Sequence, residues 1–124
     1  MPMNPHYALT EPLRDAVDTL SQEGPVLVEF GAPWCPHCLS AQALLESAFE
    51  GGHPDVRHIK VEDGKGQALG RSFKVKLWPT LIFMKGGQEV QRLVRPTSAD
   101  EIRRALLAID GHEQGPGDRA TIRP

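Results

Sequence analysis

The chain has 124 residues and a mass of 13.6 kDa, room for one cored domain and not two. Hydrophobic residues at 40% and charged residues at 24% fall in the soluble globular range, and a core of this size does not need the two cysteines as staples. Fourteen Lys and Arg against 16 Asp and Glu leave a net charge of −2, which removes the electrostatic case for nucleic acid or an anionic membrane as a partner.

No apolar run reaches the length of a membrane span. The opening stretch, MPMNPHYALTEPLRD, lacks the basic and apolar segments of a secretory leader, so a cytoplasmic protein is expected. In that reducing compartment two cysteines are more often catalytic or metal-binding than structural.

Residues 1–9 are Pro-rich and irregular. Thr10 is placed to cap a first helix, with Pro12 in its first turn, Leu13, Val17 and Leu20 as its apolar stripe, and Gly24-Pro25 as its stop. VLVEF, 26–30, reads as a buried strand apart from the carboxylate of Glu29. GAPWCPHC follows as a loop. Residues 39–50, with Ala and Leu and no Pro or Gly, predict a helix closed by Gly51-Gly52. A strand is expected over 56–61, a turn over 63–66 and a short helix over 67–73. A second apolar strand, 80–84, then turns through 85–88 into 89–94 as a hairpin.

Thr97 or Ser98 opens the last helix, and Ser98 with Glu101 fits a capping box. Ile102, Leu106 and Ile109 make its core face and Gly111 its end. Residues 111–124, with three Gly, two Pro and no periodicity, are expected to be a disordered tail behind a domain over 1–110. The sequence contains no internal repeats. Two strands joined through a helix require a right-handed parallel crossover, and two joined by 85–88 require an antiparallel hairpin. An α/β fold satisfies both, with a mixed central sheet of four to five strands and helices on both faces.

The chemistry concentrates in Trp34-Cys35-Pro36-His37-Cys38. A Cys-x-x-Cys that follows a buried strand and leads into a helix puts Cys35 at the helix N-terminus. There, unpaired N–H groups and the helix dipole favour a thiolate. Pro36 falls where a missing N–H costs little, and His37 offers a positive charge beside the sulfur. Cys38, one turn on, is more buried and stays within disulfide reach of Cys35. The bland alternative is a pair of inert buried thiols.

VLVEFGAPWCPHC resembles the strand and active-site segment of thioredoxins, and LWPTLIFMKGGQEV, 77–90, resembles the thioredoxin segment that carries the cis-proline and the next hairpin. The resemblance runs from about 26 to 109 and implies a thioredoxin fold. It makes Pro79 the cis-proline facing Cys35 and leaves the Trp78 backbone to pair with an extended substrate as an added strand. An ordinary trans proline at a strand start is the alternative for Pro79. Pro36-His37 is the dipeptide of the disulfide oxidase DsbA rather than the Gly-Pro of thioredoxins, and Glu29 stands where thioredoxins carry an aspartate. The helical domain of that oxidase has no room here. Gly31, Ala43 and Arg95-Pro96 also depart from the thioredoxin pattern, at the tryptophan before the site, the helix-kinking proline and the groove glycine.

Glu29 has two readings: acceptor of the Cys38 proton in the second exchange step, or structural partner of His58 or Lys60. His58 itself reads as a half-exposed strand residue, the alternative being a neighbour of Glu29. Trp34 and Trp78 are core packing, or an apolar rim for docking partners, the second being favoured for Trp34. Arg71, Lys74, Lys76, Arg92 and Arg95 read as a solvated charged face or as the rim of a groove. Cys35 and Cys38 with His53 and His58 satisfy a loose zinc-finger spacing. The helix signal, however, follows the cysteines, and Pro54 opposes a helix between the histidines.

These readings predict a thiol–disulfide oxidoreductase with Cys35, Cys38, Glu29 and His37 as catalytic residues. Trp34, Pro36, Trp78 and Pro79 are expected to bind substrate, with no organic cofactor and no metal. Its partners are expected to be disulfide-containing proteins and a reductase or thiol pool that recharges the pair, with the protein acting as a monomer. The alternative is an adaptor or chaperone-like binding module on the same fold, with incidental redox activity.

Overall fold

Eight elements follow one another in the computed structural model, which describes residues 3–50 and 52–110. They are α1 (Arg14–Glu23), β1 (Val26–Gly31), α2 (Pro36–Phe49), β2 (Arg57–Glu62), α3 (Ala68–Ser72), β3 (Thr80–Lys85), β4 (Gln88–Val94) and α4 (Ala99–Ile109). The strands form one four-stranded sheet in the order β2-β1-β3-β4. β1 lies parallel to β2, with Glu29 opposite Lys60, and antiparallel to β3, with Glu29 opposite Leu81. β3 and β4 pair antiparallel. The mixed sheet expected from the order of elements is therefore present.

β1 is buried over its whole length, because helices cover both faces of the sheet. Strand alternation divides the apolar residues between two cores. Leu27, Leu81 and Phe83 pack with Leu45, Ala48 and Phe49 of α2 and Ile102, Leu106 and Ile109 of α4. Val26, Val28, Phe30, Ile82 and Met84 face the other way, toward Val17 of α1, Leu69 of α3 and Phe73. Glu29 and Gly31 share the parity of Leu27, so β1 presents both to the α2 face, where the cysteines lie. Truncating a fully buried leucine such as Leu27 or Leu106 to alanine costs about 2–5 kcal/mol.

The turn from β3 to β4 is a two-residue hairpin with Gly86 at φ 64° and Gly87 at φ 82°. Two positive φ angles match the twist of the strands they join, and glycine adopts them without steric cost. In α4 the Ser98 hydroxyl accepts the Glu101 N–H at 3.2 Å, as expected of a capping box. The Glu101 carboxylate reaches back to the Thr97 N–H at 2.9 Å.

The structure corrects the N-terminal reading. α1 begins at Arg14, with extended Leu13 in the cap position and no capping side chain. Thr10 does not cap it, because Pro12 holds the residue before it out of helical geometry. Leu13 is 76% exposed and leaves the apolar stripe to Val17 and Leu20. The Glu11 carboxylate instead accepts the N–H groups of Ala68 and Leu69 at 3.2 and 3.0 Å, supplying the cap that α3 lacks from its own sequence.

The irregular segment before α1 lines the outer edge of β2. Asn4 bonds to His58 through its N–H and its side-chain amide, and the Ala8 N–H donates to the Lys60 carbonyl at 2.8 Å. That covers part of an otherwise open sheet edge. α2 begins at Pro36 with Cys35 as its cap, as the Cys-x-x-Cys segment predicts, three residues ahead of the apolar run over 39–50. The expected stop at Gly51 and the expected tail over 111–124 lie outside the described residues. Among the described residues no helix is long and apolar enough to cross a membrane.

Candidate active site

The strand-to-helix junction from β1 to α2 carries the two cysteines. Cys35 is the N-cap of α2, extended at φ −83° and ψ 118°, and its Sγ accepts the Cys38 N–H at 3.2 Å. The sulfur thus takes the place of the serine or aspartate oxygen that usually satisfies a first-turn N–H. It receives both that hydrogen bond and the positive end of the helix dipole. Pro36 fills the first helical position, where no N–H is needed. His37 is exposed beside it. Both cysteines are free thiols, 5% and 2% exposed for Cys35 and Cys38.

Cys38 rests against β1 at Gly31. A Cβ on Gly31 would lie 2.6 Å from Cys38 Sγ and 3.4 Å from the Tyr7 hydroxyl, so the glycine makes room for the sulfur. Burial pushes the Cys38 thiol up to about 12, and its contact with Cys35 and the nearby charge of Glu29 act in the same direction. The Tyr7 hydroxyl in the same enclosure is also pushed up, first by burial and then by the Glu29 charge. A cavity of about 620 Å³ reaches Cys38 from the side of α2, lined by Tyr7, Pro33, Leu39, Gln42 and Lys60 among others.

Beneath the cysteines lies a connected polar network. Glu29 is fully buried; its Oε1 lies 2.9 Å from His58 Nε2, and its Oε2 accepts from Gln42 Nε2 at 2.8 Å. Gln42 Nε2 also donates to the Cys38 carbonyl at 3.1 Å, while Gln42 Oε1 accepts from Lys60 Nζ at 2.9 Å. That set of partners fixes which way round the Gln42 amide sits. His58 Nδ1 accepts the Asn4 N–H at 2.8 Å, so the ring proton is on Nε2 and points at Glu29. Lys60 Nζ also donates to the Pro5 carbonyl and lies 4.7 Å from the centre of the Tyr7 ring.

On the outer side, Trp34 is 68% exposed and meets Trp78 edge to face at 5.5 Å. Trp78 is held from below by its indole N–H, which donates to Asp63 Oδ2 at 2.9 Å. The Trp78–Pro79 peptide is cis, and Pro79 is buried. Trp78 packs against the cluster of Ala32, Cys35 and Cys38.

The eight residues singled out in the sequence therefore converge on one end of the sheet. His58 is buried and bonded to Glu29, not half-exposed, because the 3–8 segment closes over β2. The structural partner proposed for Glu29 is real for His58, whereas Lys60 reaches it only through Gln42. Tyr7, Asn4, Gln42 and Asp63 were not found from sequence. Only Gln42 left a trace there, one turn beyond Cys38 on the same helical face. The histidines of the zinc spacing go elsewhere: His58 to Glu29, and His53 to Asp110 at 2.9 Å.

The thioredoxin family model matches residues 11–108 of this chain. A thioredoxin of Mycobacterium bovis is 38% identical over 79 residues, spanning 64% of this chain and 68% of that relative. Thioredoxin 2 of Pseudomonas aeruginosa, solved in its reduced form, is similar at a TM-score of 0.75 and 50% identity, over 88% of this chain and 98% of that one. Trxlp of Edwardsiella tarda is similar at a TM-score of 0.66 and 35% identity, over 77% and 96% of the two chains.

Proposed function

The chain belongs to the thioredoxin family, and we propose that it acts as a protein thiol–disulfide oxidoreductase in which Cys35 attacks and Cys38 resolves. The observation that carries this reading is the unequal setting of the two sulfurs. Cys35 Sγ receives a backbone N–H at the start of α2, while burial and the Glu29 charge hold Cys38 as a thiol near neutral pH. The nucleophile and the reserve thiol are thereby distinguished before any substrate arrives.

In the reducing direction the Cys35 thiolate attacks one sulfur of a substrate disulfide. A mixed disulfide forms and the first substrate thiolate leaves. Cys38 then gives up its proton and attacks the Cys35 sulfur, releasing the second substrate thiolate and leaving a Cys35–Cys38 disulfide. We assign acceptance of that proton to Glu29, which Gln42 ties to the Cys38 backbone. His37 stands exposed next to Cys38 at the start of α2. Trp34 offers an apolar contact for the substrate, and an extended segment pairs with the Trp78 backbone in front of Pro79.

On this reading no organic cofactor takes part. The partners are disulfide-bearing proteins and a reductase or thiol pool, and the working unit is a monomer in a compartment that keeps thiols reduced. The domain is read as 1–110. The test is reduction of a protein disulfide by the full chain with a thiol recharging it. Turnover is expected, and Cys35→Ser abolishes it. Turnover that persists in Cys35→Ser would overturn the assignment.

A further inference from the structure

Arg95 closes over the backbone group that an incoming substrate needs. It follows β4 with φ +50°, a conformation uncommon for a residue with a side chain. Its N–H donates to the Pro79 carbonyl at 2.9 Å, extending the β3–β4 pairing by one step beyond Thr80 opposite Val94. The side chain then turns back, and Nε donates to the Trp78 carbonyl at 2.7 Å. The Trp78 N–H makes no hydrogen bond among the described residues, so this carbonyl and that N–H are the pair presented to an added strand.

The guanidinium uses only Nε in this contact. Its two terminal amino groups have no partner among the described residues, and the side chain is exposed. A fork with its outer edge open suits one ligand group above others, a carboxylate held by two parallel N–H bonds. The acidic side chains that follow in α4 are already engaged, Asp100 with Arg103 and Glu101 with the Thr97 N–H. Lys74 and Lys76, both exposed, precede Trp78 in the chain.

We infer that Arg95 is a specificity-determining residue that favours disulfide substrates carrying a carboxylate beside the attacked cysteine. A substrate N–H takes over the Trp78 carbonyl, and the displaced guanidinium closes on the substrate carboxylate. This inference rests on the proposed pairing of substrate with the Trp78 backbone. A neutral substrate has to displace Arg95 with nothing to receive it.

The test uses the reduced full chain and two peptides, identical except for Asp or Asn next to a single cysteine that is disulfide-linked to mercaptoethanol. The wild-type protein is expected to reduce the Asp peptide about three- to fivefold faster, the range an exposed, geometrically matched ion pair supplies. That preference should shrink as salt is raised. Arg95→Gly, which suits the left-handed backbone, should bring the two rates together. Equal rates in the wild type, or a preference that survives Arg95→Gly, would overturn the inference. Hydroxyethyl disulfide, which has no peptide backbone, separates the two levels. A wild-type protein that cannot reduce it would strike at the cysteine chemistry, whereas one that reduces it without discriminating the peptides would strike at Arg95 alone.

Discussion

Glu29 and His58 are hydrogen-bonded side chain to side chain at 2.9 Å, with neither side chain exposed. Because His58 Nδ1 already accepts the Asn4 N–H, the bond runs from His58 Nε2–H to Glu29 Oε1. Gln42 donates to the other oxygen, so both oxygens of Glu29 are acceptors.

Glu29→Gln breaks that pattern, since an amide presents a donor at one end and would face either His58 or Gln42 with donor against donor. A loss of stability of about 1–3 kcal/mol is expected, read by denaturant unfolding. The second exchange step, in which Cys38 loses its proton, should slow more than the first attack in rapid-mixing kinetics. Equal slowing of the two steps would make Glu29 a structural residue only.

The Cys38 thiol, held at about 12 against an ordinary 9.0, makes the reduced fold sensitive to alkali. A group that ionises later in the folded chain than in the unfolded one stabilises the fold fully below its unfolded value. That contribution is lost as pH climbs through its folded value. The reduced wild type should therefore lose more stability between pH 9 and about 12 than reduced Cys38→Ala does. The other alkaline groups are common to both proteins and largely cancel. Parallel stability curves would contradict the assignment. At neutral pH the same asymmetry predicts that a thiol alkylator modifies Cys35 before Cys38, which peptide mapping can read.

Gly31→Ala puts a methyl group 2.6 Å from Cys38 Sγ and against the Tyr7 hydroxyl. One of them has to move, and overpacking of this kind costs about 1–3 kcal/mol. The variant should be less stable and should resolve its mixed disulfide more slowly. Wild-type stability and kinetics would show that the enclosure around Cys38 is looser than its geometry implies.

Much of this site is legible in the sequence alone. The Cys-x-x-Cys after an apolar strand, the hairpin glycines and the Ser98–Glu101 box are local signals, and local physics decides them. Glu29 stood out because a carboxylate inside VLVEF has to be paired. Which group pairs it was not legible, since His58, Gln42, Lys60 and Asn4 meet it only through the crossover and the segment laid along β2. The misplaced start of α1 has the same origin. Thr10 carries a capping side chain, but Pro12 sets the geometry and Glu11 goes to α3, a partner 57 residues away for Ala68.

The Pro36-His37 dipeptide bears on redox poise. Any group that stabilises only the reduced pair makes the disulfide a better oxidant. Pro36 at the first helical position and His37 beside it should raise the potential above that of a Gly-Pro site. A value of roughly −250 to −190 mV is expected, between about −270 mV for thioredoxin and about −120 mV for DsbA. Replacing Pro36-His37 by Gly-Pro should lower it by some tens of millivolts, where about 30 mV is a 1.4 kcal/mol change for two electrons. Equilibration with a glutathione buffer measures both. A potential at or below the thioredoxin value, unmoved by the swap, would show that the dipeptide does not set the poise.

The division of labour between the two sulfurs is tested most directly by trapping. Each single-serine variant of the full chain is mixed with an oxidised protein substrate, and covalent adducts are read on non-reducing gels and by mass. Cys38→Ser should accumulate a mixed disulfide through Cys35, because attack proceeds and resolution cannot. Cys35→Ser should accumulate little, because Cys38 is buried and protonated near neutral pH. The reverse pattern, with adducts collecting on Cys38 in Cys35→Ser and none in Cys38→Ser, would contradict the account.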